Sequence, residues 1–166
     1  MTNLQHFESP PIYQHTQRGP WSFVLLAITA VNLTLAARLW GNEPAWAAWL
    51  LLGVALLMTF LAFCCQSLTT TVSETSLRVH FGPIPLLGKK VALEQVVSVR
   101  PEKSSVLDGW GVHWTPGRGW IYNMWGFDCL SIHLGTSHFR VGTNDPDQLR
   151  EVLEKAISAF RQETVN

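Results

Sequence analysis

Residues 21–37 read WSFVLLAITAVNLTLAA and residues 45–64 read AWAAWLLLGVALLMTFLAFC, and neither run contains a charge. A helix needs about 20 apolar residues to cross a hydrocarbon core of about 30 Å. The second run meets this outright. The first meets it when Arg38 snorkels and Leu39-Trp40 complete the span. Between them Gly41 can stop one helix and Pro44 can start the next, so the connection forces an antiparallel hairpin. Trp21, Trp40 and Trp46 fall near the run ends, where aromatic rings favour the membrane interface, and with Arg38 they are the expected anchors. Asn32 and Thr34 are expected to face the partner helix, because an unpaired amide in lipid is costly. The remaining chain is too short to cover two helices that are apolar on all sides, which excludes a buried soluble hairpin. Both termini then share one side. Arg18, Arg78 and Lys89-Lys90 on that side against Arg38 on the other favour cytoplasmic termini. Gly53 and Ala55 allow close approach of a second copy.

Composition agrees. Of 166 residues, 14% are charged, against roughly 25% in an average soluble domain, and 47% are hydrophobic. After Gln66 there are ten Lys/Arg and ten Asp/Glu. The only basic pair is Lys89-Lys90, so neither a nucleic-acid surface nor an anionic-lipid patch is expected. Cys64, Cys65 and Cys129 form no C-x-x-C and no even framework, and read as small packing residues. Palmitoylation of Cys64 or Cys65 is the alternative chemistry at a membrane boundary. Residues 1–20 are polar, contain Pro10, Pro11 and Pro20, and read as a disordered tail.

From Ser67 the pattern switches to period two. Leu77, Val79 and Phe81 alternate with Arg78 and His80; Leu130, Ile132 and Leu134 alternate with Ser131 and His133. Thr69–Val72, Val91/Leu93, Val97/Val99, Ile121–Asn123 and Phe139/Val141 are further strand candidates. Gly, Pro and Asp turns between them indicate an antiparallel sandwich or small barrel. Asp145 is a good N-cap, Pro146 fits the first helical position, and Gln148 completes a capping-box pattern. Leu149, Val152, Leu153, Ala156 and Phe160 then share one helix face.

The segments Gly109-Trp110-Gly111-Val112, Tyr122-Asn123 and Phe139–Pro146 carry a resemblance. They are similar to bacterial membrane proteins with a pleckstrin-homology-like domain. In those proteins a G-W-G-[IV] segment, a hairpin and an [IV]-G-T-[DN]-[DE]-P segment precede the last helix. The resemblance covers roughly residues 67 to 160, or the whole chain if the hairpin is included, and implies a fold and membrane attachment, not an activity; the expected location is the inner membrane. The eukaryotic namesakes bind phosphoinositides through basic loops, and this sequence has no such loop. The expected architecture is therefore an α+β membrane protein. A polar tail (1–20) leads into a two-helix transmembrane hairpin (21–66). A small antiparallel pleckstrin-homology-like β-barrel with a C-terminal amphipathic helix (67–166) completes it.

Two groups of residues invite a functional reading. Trp110, Trp114, Trp120 and Trp125 lie within one glycine-rich stretch with Arg118. They either fill the barrel core or form a sticky surface for a partner protein or the bilayer interface. Arg118 is either an anion-binding tip or a solvated loop residue. The second group is His113, Asp128, Cys129, His133 and His138. No H-E-x-x-H, G-x-S-x-G or paired carboxylate accompanies it, so surface histidines are preferred over a metal or hydrolytic site. Cys129 and His133 share a strand face opposite Leu130 and Ile132, which places them toward solvent. The expectation is a non-enzymatic interaction or assembly module without cofactor or metal, contacting membrane lipids and another membrane protein or itself. Lipid-headgroup sensing is the alternative, and an enzyme using the His/Asp/Cys group comes third.

Overall fold

The computed structural model describes residues 10–41, 44–85, 87–105 and 108–165. Strand β1 (Tyr13–Arg18) leads into helices α1 (Trp21–Leu39) and α2 (Ala45–Cys64). Strands β2 (Ser67–Val72), β3 (Ser76–Phe81), β4 (Leu87–Ala92), β5 (Ser98–Lys103), β6 (Gly111–Thr115), β7 (Gly119–Asn123), β8 (Asp128–Leu134) and β9 (Ser137–Gly142) follow, then helix α3 (Pro146–Val165).

Helices α1 and α2 pack side by side through small residues. Thr29 and Ala36 on one helix, and Ala48, Ala55 and Ala62 on the other, are buried. The Thr29 and Thr59 hydroxyls lie 3.4 Å apart across this seam. Both helices are long and apolar enough to cross a membrane, and both leave most of their apolar side chains exposed. Thr34 is exposed rather than turned into the seam, and Asn32 is partly buried. Each side chain donates to its own helix, to Ile28 and Ala30 carbonyls, so neither needs the partner helix. Ala55 is spent inside the seam, whereas Gly53 faces open space.

The polar N-terminal segment is not a free tail. Residues 13–18 pair antiparallel with β2, from Tyr13 opposite Val72 to Arg18 opposite Ser67. Tyr13 packs on the core, and Gln17 donates to the Trp125 carbonyl at 2.8 Å. The β domain therefore takes strands from both sides of the helical hairpin. The first nine residues of the expected tail lie outside the described residues.

The sheets are not a closed barrel. One has four strands in the order β1-β2-β3-β4 and the other five in the order β5-β8-β9-β7-β6. All pairings are antiparallel except β7 with β9. This follows from the β6–β7 hairpin, which attaches beyond β9 rather than beside its sequence neighbour β5. Pro101 is accommodated because β5 is an edge strand. A 3₁₀ turn, Leu93–Gln95, carries the chain from β4 to β5. Leu68, Val72, Leu77, Val79, Val91, Leu130, Ile132, Phe139 and Val141 form the core between the sheets.

Helix α3 covers one end of that core with Leu149, Leu153, Ala156 and Ile157. Asp145 caps it by accepting from the Gln148 backbone N–H. The reciprocal half of the box is met differently: the Asp145 N–H donates to the Thr143 hydroxyl at 3.1 Å. Gly82 seats the β domain against the end of α2. Its φ is +66°, and a Cβ there would lie 2.6 Å from the Cys64 carbonyl oxygen.

Candidate functional site

The four tryptophans of the 110–125 segment divide into two pairs. Trp110 and Trp125 stack with ring centroids 5.1 Å apart, and Trp21 of α1 closes on them at 5.4 and 6.1 Å. Phe127 lies 6.4 Å from Trp110. Trp21, expected as a membrane anchor, is thus the residue by which α1 grips the second sheet. Trp110 reaches it because glycines on both sides take positive φ, +63° at Gly109 and +103° at Gly111. A cavity of about 350 Å³ opens beside this cluster, lined by Trp21, Leu25, Cys65, Phe81, Trp110 and Met124. The Nε1 atoms of Trp21 and Trp110 are buried without a hydrogen-bond partner among the described residues. At the far end of the hairpin, Trp40 packs on Trp49 at 5.5 Å, and Trp40 and Trp46 remain exposed.

Trp114 and Trp120 are direct cross-strand partners on β6 and β7. They are 57% and 47% exposed, against a core two residues away that is closed. Trp120 is also in register with Phe139 of β9, so the pair continues the inner face of the second sheet past its packed part. From β4 in the opposite sheet, Lys89 reaches across and sets Nζ 4.4 Å from the Phe139 ring centroid. Burial lowers the Lys89 pKa, because a half-buried ammonium loses hydration.

The Arg118 side chain is 38% exposed, but its guanidinium is already paired with carboxylates. Its guanidinium is held by Asp108 at 2.5 Å and Glu102 at 2.8 Å and also donates to the Lys103 carbonyl. Asp108 in turn accepts from Arg140 at 2.9 Å, and both side chains are buried. The Arg140 hydrogen bond, with help from the Ser105 backbone N–H and the Arg118 charge, holds the Asp108 carboxyl well below the usual range. This network folds the segment before Trp110 over the outer face of the second sheet.

That cover also shields Cys129. Cys129 does not face solvent: it is fully buried, and its thiol donates to the Glu102 carbonyl. Burial pushes the thiol up to about 11, opposite to the direction a nucleophile or metal ligand needs. His133 stacks on His138 at 5.4 Å, Asp128 faces Lys103 at 3.7 Å, and His113 lies beside Gly109. Among the described residues no three His, Cys, Asp or Glu side chains come together to hold a metal.

Neither a model of a known protein family nor a curated protein matches this chain. The Asp108–Arg140 pair and Lys89 escape a sequence reading. Arg140 alternates with Phe139 and Val141 as an outward strand residue would, and its carboxylate partner is 32 residues away.

Proposed function

We propose that this chain is a non-enzymatic, membrane-anchored interaction module. In this reading the α1–α2 hairpin crosses the inner membrane, with both termini and a pleckstrin-homology-like β domain on the cytoplasmic side. The exposed apolar surface of both helices supports insertion. The order of strands followed by one core-covering helix supports the domain resemblance. The observation that carries the reading is the division of the tryptophans. Trp110 and Trp125 pack on Trp21, Trp125 with 44% of its surface still open, whereas Trp114 and Trp120 contact each other across β6 and β7 and stand exposed outside the core. Tryptophan is enriched at the centres of protein interfaces, where its large area is buried by a partner. The partner is another membrane protein held at the same surface.

Cross-linking of the tagged full chain in native membranes tests this. One stoichiometric partner is expected, retained by the native chain and lost from a folded Trp114→Ala/Trp120→Ala variant. Retention of the same partner by that variant would refute the reading.

The junction cavity favours a second reading, lipid sensing, since its lining is apolar and Leu25 belongs to the first apolar run. A phospholipid retained at one copy per chain by purified full-length protein, and lost on Leu25→Trp, is its signature. Absence of any retained lipid would sink it.

A further inference from the structure

Among the described residues, Lys89 on β4 is a side chain facing the space between the sheets whose surroundings do not match its charge. It is half-buried, its Nζ lies over the Phe139 ring, and no carboxylate of the described residues is within ion-pair distance. The ring offers the ammonium a favourable face but no counter-charge. Its strand, β4, is the edge of the first sheet, paired only with β3 among the described residues. The exposed Trp114–Trp120 pair stands on the other side of the same space, next to Phe139 through the Trp120–Phe139 register.

From this we infer that this space takes an acidic, extended segment of a partner protein. The segment adds as a strand along β4, places a carboxylate on Lys89 and lays an apolar side chain on Trp114 and Trp120. Strand addition supplies backbone hydrogen bonds, and the alternating side chains supply the choice of sequence. The carboxylate restores to Lys89 the stabilisation that burial removes. An anionic lipid headgroup fits less well. Trp114 is three residues along β6 from Gly111, which borders the α1 junction, so the pair stands about 10 Å along the hairpin from it. A single lysine reaching between sheets is also not the cluster that an anionic surface selects.

This inference rests on the interaction-module reading and names the chemistry of its partner. The test uses the purified full chain in nanodiscs and two labelled peptides, a Glu-Thr-Val-Thr repeat (Glu/Val) and a Lys-Thr-Val-Thr repeat (Lys/Val), in which the charged and the apolar side chains share one strand face. Anisotropy should show the Glu/Val peptide binding at least about tenfold more tightly than the Lys/Val peptide. Lys89→Glu should weaken that binding by about tenfold or more, and Lys89→Arg by less than about threefold. Lys89→Gln, with an unchanged melting midpoint, guards against a folding artefact and should fall between them. Equal binding of the two peptides, or of the Glu/Val peptide to the native and Lys89→Glu chains, overturns the inference. So does Lys89-dependent retention of anionic lipid with no peptide binding. Failure of the peptide while Trp114 and Trp120 still capture a native partner removes this inference and leaves the interaction module standing.

Discussion

Arg140 shows how one buried charge organises its surroundings. Its side chain is fully buried and ion-paired to Asp108, itself 1% exposed. Removing one partner of such a pair leaves an uncompensated charge in the interior, at a cost of about 3–5 kcal/mol. Because Arg118 and the Ser105 N–H still hold Asp108, Arg140→Met is expected to cost less than that, about 1.5–3 kcal/mol of unfolding stability in micelle-solubilised protein. The double variant with Asp108→Leu should be less destabilised than Arg140→Met alone, and a loss under about 1 kcal/mol for the single variant would show the pair to be idle. The pH dependence follows from the same pair. The folded Asp108 pKa is depressed, chiefly by the Arg140 hydrogen bond. Its stabilisation is complete above the unfolded carboxylate value of about 3.9 and is lost as pH falls from there through the folded value. Stability measured downward from about pH 5 should fall less steeply in Asp108→Asn than in the native chain.

At the scale of elements, the two tryptophan pairs should separate by experiment. Trp110→Ala opens the contact between α1 and the second sheet and is expected to cost about 2 kcal/mol or more. Trp114→Ala removes an exposed ring and should change stability by under about 0.5 kcal/mol. Similar losses for both would mean that Trp114 is structural. Strand β1 makes a further prediction. His15→Pro removes the N–H that faces Thr70 in the ladder and fixes φ, so amide exchange should accelerate along β2 from Ser67 to Val72, the register partner of β1. Unchanged protection of β2 would mean that β1 contributes nothing to the sheet. This strand illustrates why part of the fold was illegible. YQHTQR carries no apolar alternation, because only Tyr13 touches the core while Gln17 is buried through a hydrogen bond to a distant carbonyl. By contrast Leu77-Arg78-Val79-His80-Phe81 and the α3 face were readable, since burial on one face imposes a period of two or 3.6. The Trp segment was readable as unusual, but which rings would be internal depended on where Trp21 arrived.

Across the whole molecule, local pattern and tertiary arrangement contributed differently. The sequence by itself determined two uninterrupted apolar helices, a run of short strands and a capped amphipathic helix, because hydrophobic periodicity and turn chemistry act over a few residues. It also determined that charge is sparse and balanced. Only the tertiary structure decided that residues 13–18 join the sheet across the hairpin and that the sheets stay open. The same holds for the β6–β7 hairpin lying outside β9, and for Asp108, Arg118 and Arg140 meeting over one sheet face. These are pairings between residues far apart in the chain. They are selected by which edges and buried charges can satisfy one another, and no local period records that choice.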